Sequence, residues 1–266
     1  MLGSARLFSG LGLYTTSEVR FGTQAVAFTV DSDGQLTVTV PAAASAGPVG
    51  VTVTTRGGIA SGVTYTYLNP PSLTAVTLDS GPVDGGGLSI VTGDLGVSPG
   101  VSITGFPPGQ VDGSIHNSDA AAVAAHADLI TTYNDAVGQI PDAGITGDLG
   151  GQTLPPGVYN AASSIGLTGT LTLDAQGDRN AEWIFQIGST LTTATASHVL
   201  LINGATARNV IWLIGSSATL GTDTDFAGRV LAQISITVNA GVTVNGQVLA
   251  INGSVTLDTD RITRPW

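Results

Sequence analysis

The chain contains neither cysteine nor lysine, and only 10% of its 266 residues are charged. Without cysteine there are no disulfides, no thiol chemistry and no cysteine-based metal site, while the compartment is left open. An average globular chain carries about 25% charged residues, so this surface is built largely without them. All eight cations are arginine and the net charge is −11. No basic patch interleaved with aromatics occurs, which excludes nucleic acid as a partner. No apolar run approaches the length of a membrane span, so no membrane insertion is expected. No charged n-region with an apolar h-region opens the chain, and an exported protein would need a signal upstream of Met1.

What the chain does have is glycine, 37 residues of it, and 42% hydrophobic residues. Glycine with serine and threonine could mean disorder, but recurrent Val/Ile/Leu alternation points to packed strands. Over residues 1–68, "SEVRFG", "QAVAFTV", "QLTVTVP", "PVGVTVTT" and "GVTYTYL" alternate with a period of two. Asp33-Gly34 and Gly57-Gly58 punctuate them, the pattern of a β-sandwich. The run from "VRFGTQAVAFTVDSDG" to "GVTYTYL" resembles an IPT/TIG domain, an immunoglobulin-like module. The Pro- and Gly-containing first strand usual in such domains is not evident, so an incomplete sandwich is expected. "LNPPSL" then supplies a stiff linker at 69–73, and a second domain is expected over 74–266.

"NSDAAAVAAHADLITTYNDAVG" reads as a helix, with Asn117 or Ser118 as its cap, Asp119 in its first turn and Gly138 at its end. Ala120, Val123, Ala127, Ile130 and Val137 recur at helical spacing, which predicts that this face is buried. The end of the chain falls into rows of 18 residues, 209–226, 227–244 and 245–262, closed by Phe226, Val244 and Ile262. A self-similar unit too short to bury its own apolar side signals a β-solenoid. Three short strands per row imply a triangular coil. The first strand of each row ("VIWLI", "RVLA", "QVLAI") is apolar at successive positions and should lie under the helix.

The second strand ("SSATL", "ISITV", "GSVTL") alternates. Ser217 and Thr219, Ser235 and Thr237, and Ser254 and Thr256 point outward, with the threonines 18 and then 19 residues apart. "TLTL" and "TLTT" fit the same column, adding Thr170, Thr172, Thr190 and Thr192. Strands about 4.8 Å apart would then carry two rows of hydroxyls on one flat, stiff face without charge. Thr suits any exposed strand position, but surface strands normally use charge against aggregation and this face forgoes it. Methyls that cage water beside hydroxyls that anchor it suit an ordered water layer, and so the surface of an ice crystal. A ridge of Thr222, Thr224, Thr243 and Asn245 is the alternative face.

The stretches "VTGDLGVSPGVSITGFPPG", "GDLGGQTLPPGVYNAASSIGLTGTLTLDAQGDRNAEWIFQIGSTLTTA" and "ATLGTDTDFAGRVLAQISITVNAGVTVNGQVLAINGSVTLDTDRIT" resemble the microbial ice-binding protein family. The resemblance implies a mainly β fold, a right-handed triangular β-solenoid with one helix packed alongside. It also implies a flat ice-binding face, a secreted or cell-surface location and the ice crystal surface as partner. The protein is expected to be monomeric, and the immunoglobulin-like segment suggests a larger surface protein.

Polysaccharide-cleaving β-helices need clustered carboxylates. Asp223, Asp225, Asp258 and Asp260 instead read as turn residues, so no enzyme and no cofactor is expected. His116, His126 and His198 are scattered, which argues against a metal. An adhesive or structural module binding glycan or protein is the serious rival. Glycan binding would favour exposed aromatics, whereas Trp183 and Trp212 fall in covered strands.

Overall fold

The computed structural model describes residues 5–41, 47–67, 75–78 and 83–265. The chain divides into two compact units, Met1–Asn69 and Pro70–Trp266. The linker expected at 69–73 lies outside the described residues.

The first unit holds two antiparallel sheets. Ala5–Ser9, Gln35–Thr39 and Phe28–Ser32 form one, and Gln24–Val26, Thr16–Phe21, Gly47–Thr55 and Gly58–Tyr67 form the other. Val19, Phe21, Leu36, Val38 and Val51 fill the core, and Phe21 meets Phe8 and Tyr65 edge-on. Two details differ from the alternation. Ala5–Ser9 is a strand that the pattern did not single out. "QAVAFTV", read as one strand, is two: Gln24–Val26 pairs with Thr16–Phe21, and Phe28–Ser32 crosses to Gln35–Thr39. Alternation persists through such a crossing, so periodicity alone does not reveal it.

The second unit is a three-faced coil of parallel strands. Its first face carries Gly157–Ala161, Trp183–Ile187 and Val210–Ile214, continued by 229–232 and 247–250. Its second face runs through Ile165–Leu167, Leu191–Thr193, Ala218–Leu220, Ile236–Val238 and Val255–Asp258. Its third face includes Thr170–Asp174, His198–Ile202 and Arg261–Thr263. Phe226, Val244 and Ile262, which close the rows of 18, are cross-strand partners in register. The strands Asp225–Ala232 and Thr243–Ala250 turn from third to first face without a loop. They do so at the paired Gly228 and Gly246. Gly228 sits at φ +115°, and a Cβ on Gly246 would collide with the Gly228 carbonyl, so glycine is required at both.

The stacking order is not the chain order. Val83–Gly86 pairs with Val255–Asp258, and Ile90–Thr92 pairs with Arg261–Thr263. The earliest coils therefore sit on the last one. The helix α1, Ala120–Val137, joins the early coils to the stack that starts at Ala143–Gly144. Asp119 caps α1 rather than Asn117 or Ser118, its Oδ1 accepting from the Ala122 N–H at 2.9 Å. Ser118 instead takes φ 51°. Gly138 ends the helix in the right-handed region, φ −72°.

The buried face of α1 is also not the expected one. Ala122, Leu129, Tyr133 and Ala136 are buried, whereas Val123 and Val137 are 54% and 47% exposed. An alanine-rich helix carries two stripes of similar apolarity, and the bulk of Leu129 and Tyr133 at i, i+4 decides between them. Gln186 fastens the last turn. Its Nε2 lies 3.0 Å from the Ala136 carbonyl and 2.9 Å from that of Gln139, so a strand side chain satisfies otherwise free helix carbonyls.

An aromatic stack runs up the interior. Tyr159, Phe185, Trp212 and Phe226 follow one another at centroid distances of 5.5, 4.0 and 5.1 Å. Trp212 Nε1 donates to the Ala227 carbonyl at 3.0 Å, so the polar edge of the ring is satisfied as well.

The seam between early and late coils contains a buried carboxyl. Asp260 is 2% exposed. It accepts from the Val242 and Asp258 N–H groups, and its own N–H donates to Ser89 Oγ. Burial outweighs those donors and pushes its pKa from 3.8 up to about 7. A carboxyl whose folded pKa is raised holds its proton in the native state after the unfolded chain has lost it. Stability therefore falls as pH rises from about 4 to about 7. The lowered carboxyls Glu18, Asp119 and Asp148 act below that window. The melting temperature is expected to be a few degrees higher at pH 5 than at pH 8. Asp260→Asn should flatten the profile. A slope that survives the substitution would assign it to the general acidic charge.

Candidate functional site

Each strand of the second face places alternate residues inward. Ile165, Leu167, Leu191, Ala218, Leu220, Ile236, Val238, Val255 and Leu257 are all buried, which leaves the intervening residues on the outer surface. The register lines these up. Thr192 pairs with Thr219, Thr219 with Thr237, and Thr237 with Thr256. Beyond Thr256 the row continues to Asp84 and Thr104, and before Thr192 it holds Gly166 and Asp148. Two residues earlier on each strand lies a second row: Thr190, Ser217, Ser235 and Ser254.

The rows differ in what their hydroxyls do. Ser217 Oγ accepts from the Ser235 N–H at 3.3 Å, and Ser235 Oγ from the Ser254 N–H at 3.2 Å. Thr190 donates to Ser164 Oγ at 2.8 Å. This row is a hydrogen-bonded rail in two runs, Ser164 to Thr190 and Ser217 through Ser235 to Ser254. The hydroxyls of Thr192, Thr219, Thr237 and Thr256 have no protein partner among the described residues, so their hydrogen-bonding capacity is turned to water. No charged residue interrupts these four threonines. The extra residue between Thr237 and Thr256 falls in the corner after Ala250. The next corner, from Thr256 to Arg261, is one residue shorter, which restores the register.

Eight of the ten sequence-derived positions thus share one face. Thr170 and Thr172 do not. They belong to the third face, in register with His198 and Leu200, while Ile165–Leu167 fills the second face of that coil with Gly166 outward. The lower coils are longer than 18 residues because of their extended corners at 175–182 and 203–209. A short alternating segment does not declare its face once the period changes.

The alternative ridge does not assemble. Thr224 is buried, with its Oγ1 3.1 Å from Thr193 Oγ1, and Thr222 lies in a corner. Thr243 and Asn245 do lie on the third face, but Thr243 stands between Asp225 and Arg261. His198 Nδ1 is 3.3 Å from Asp225 Oδ2 in the same row, so this row carries charge where the four-threonine row does not.

Ser164, Gly166, Asp148, Asp84 and Thr104 in the second-face rows escaped the sequence reading. For Thr104 a signal exists: Ser102-Ile103-Thr104 repeats Ser235-Ile236-Thr237. Asp148 is tied down, Oδ1 accepting from the Gly150 and Thr168 N–H groups and Oδ2 from the Thr168 hydroxyl. The Thr168 hydroxyl and the Gly150 N–H hold its carboxyl below the usual range. Among the described residues no three His, Asp or Glu side chains converge on a possible metal position. A shallow recess lies elsewhere, lined by Gln176, Gly177, Arg179, Asn203 and Gly204.

Residues 77–263 match the Ice-binding-like family and residues 4–67 match the IPT/TIG domain. An ice-binding protein of Nostoc sp. (strain HG1) is 54% identical over 178 residues, covering 66% of this chain and 66% of the relative. The chain thus matches about two thirds of that relative's length. Among solved structures, an ice-binding protein from an Antarctic biological consortium superposes with a TM-score of 0.71 at 42% identity, covering 76% of this chain and 94% of that one. One from the Antarctic ascomycete Antarctomyces psychrotrophicus gives 0.69 at 40%, covering 73% and 95%.

Proposed function

We propose, for a chain that belongs to the Ice-binding-like family, that it adsorbs to ice crystals through the Thr192–Thr219–Thr237–Thr256 row and the Ser/Thr rail beside it. Adsorption of this kind slows crystal growth and recrystallisation without chemistry on any substrate. The observation that carries the assignment to this face is the register, which aligns four threonines whose hydroxyls have no protein partner among the described residues, with no charged residue between them. Such a row can hold an ordered water layer that merges with the crystal, and ordered bridging water is nearly as good as direct contact. The rail keeps the face stiff, so little conformational entropy remains to be lost on docking.

The reading carries a location with it. A protein that meets ice acts outside the cell, and an immunoglobulin-like unit in the same chain as an ice-binding unit suits a multi-part surface protein that would hold its cell to ice. The test is microscopy of single ice crystals in a dilute solution of the whole chain. Faceted, slowly growing crystals are the expected result. Smooth discs at every concentration of folded protein would overturn the proposal and favour the adhesive module.

A further inference from the structure

We propose that the serine rail is the proton-donating edge of the ice contact. Ser164, Ser217 and Ser235 each accept a backbone N–H from the next coil and keep their own O–H for the bound water, which orients the layer held by the threonine row. This rests on the ice-binding reading of the second face.

The direction of the inter-coil bonds carries the argument. The Thr190 N–H donates to Ser164 Oγ at 3.4 Å, the Ser235 N–H to Ser217 Oγ at 3.3 Å and the Ser254 N–H to Ser235 Oγ at 3.2 Å. In each pair the serine is the acceptor. Thr190 also directs its hydroxyl proton to Ser164, 2.8 Å away, so there too the remaining proton belongs to the serine. A serine hydroxyl has one proton and two lone pairs. With at least one lone pair committed, and no protein acceptor for the proton among the described residues, the remaining capacity is weighted toward donation. Accepting the N–H also polarises the O–H, because successive hydrogen bonds strengthen one another. The hydroxyls of Thr192, Thr219, Thr237 and Thr256 take no such bond among the described residues and offer water a donor and two acceptors. Ser217 and Ser235 stand two residues before Thr219 and Thr237, on the same side of the strand and about 6.7 Å away. The face therefore has a polarity across its width. Water seated at the rail is held through its oxygen, which leaves its own protons for the next water layer.

The test is substitution in the whole chain, read by recrystallisation inhibition and by melting temperature. Ser235→Val and Ser235→Thr introduce side chains of one shape that differ by the hydroxyl, and both are at home in a strand. Ser235→Thr should hold parental inhibition, whereas Ser235→Val should need about fivefold more protein for the same inhibition, the effect of one net hydrogen bond. Ser197→Ala controls for stiffness. Ser197 is buried, and its Oγ donates to the Leu167 carbonyl of the preceding coil at 2.8 Å and to the Ala194 carbonyl at 2.9 Å. Its loss should lower the melting temperature at least as far as Ser235→Val does and leave inhibition at the parental level. Equal inhibition by Ser235→Val and Ser235→Thr would overturn the proposal. So would a loss in Ser197→Ala that matches Ser235→Val, since the rail would then act through stiffness alone. Thr237→Tyr in the same series separates the two levels. If it abolishes inhibition while Ser235→Val matches Ser235→Thr, the donor idea fails and the face stands. If it leaves inhibition intact, the face and the donor idea fail together.

Discussion

Thr237→Tyr is expected to remove crystal shaping and recrystallisation inhibition almost completely, with a melting temperature within about 2 °C of the parent. Thr237 sits in the middle of the row, paired with Thr219 on one side and Thr256 on the other. Its side chain points outward between the buried Ile236 and Val238. A tyrosine ring there adds no atoms to the core and asks nothing of the backbone. It does rise above the neighbouring methyls and hydroxyls, so the coils on either side can no longer approach a flat crystal together. The matching control is Thr243→Tyr, an outward position on the third face between Asp225 and Arg261. Retained activity in that variant is expected. Loss in both would mean that the contact is not confined to the second face.

Trp212→Ala is expected to destabilise the second unit by about 3–5 kcal/mol. Trp212 is fully buried, stacked on Phe185 at 4.0 Å with the rings 10° from parallel, and bonded to the Ala227 carbonyl. Its removal opens a cavity between Phe185 and Phe226 that the coils cannot close, because their spacing is fixed by parallel ladders on every side. For a domain of this size the melting temperature should drop by roughly 8–15 °C. Chemical denaturation would measure the change directly, and a loss below about 1 kcal/mol would mean that the stack is not the spine of the coil. At low temperature the folded remainder should still shape ice, because the second face lies on the opposite side of the inward residues.

How far the sequence reveals this molecule depends on how regular each part is. Rows of 18 residues ending in Phe226, Val244 and Ile262 match the observed register because those coils have short corners of nearly constant length. Where the corners lengthen, before Trp183 and Val210, the period is lost. Thr170 and Thr172 alternate as the second-face strands do, yet they lie on the third face. The helix was evident from its alanines and its terminal signals, but its burial was not. Val123 and Ile130 make as good a stripe as Leu129 and Tyr133 until something is packed against one of them.

The return of the early coils to the end of the stack was the least legible feature. Pairing of Val83–Gly86 with Val255–Asp258 is a contact between distant segments that no local pattern encodes. That pairing is also what places Asp84 in line with Thr256. The threonine row, whose hydroxyls have no partner among the described residues, and the serine rail, whose hydroxyls are committed, look alike in sequence, since both are small polar residues at alternate positions. Only the inter-coil hydrogen bonds distinguish them.

The most direct measurement is partition into growing ice. A dilute solution of the intact chain, with an inert protein of similar size as reference, is frozen slowly onto a cold probe, and both proteins are assayed in the ice and in the remaining liquid. Adsorption through the second face should enrich this chain in the ice fraction while the reference is left in the liquid, and Thr237→Tyr should behave as the reference does. Exclusion of the folded chain from the ice to the same extent as the reference would contradict ice binding.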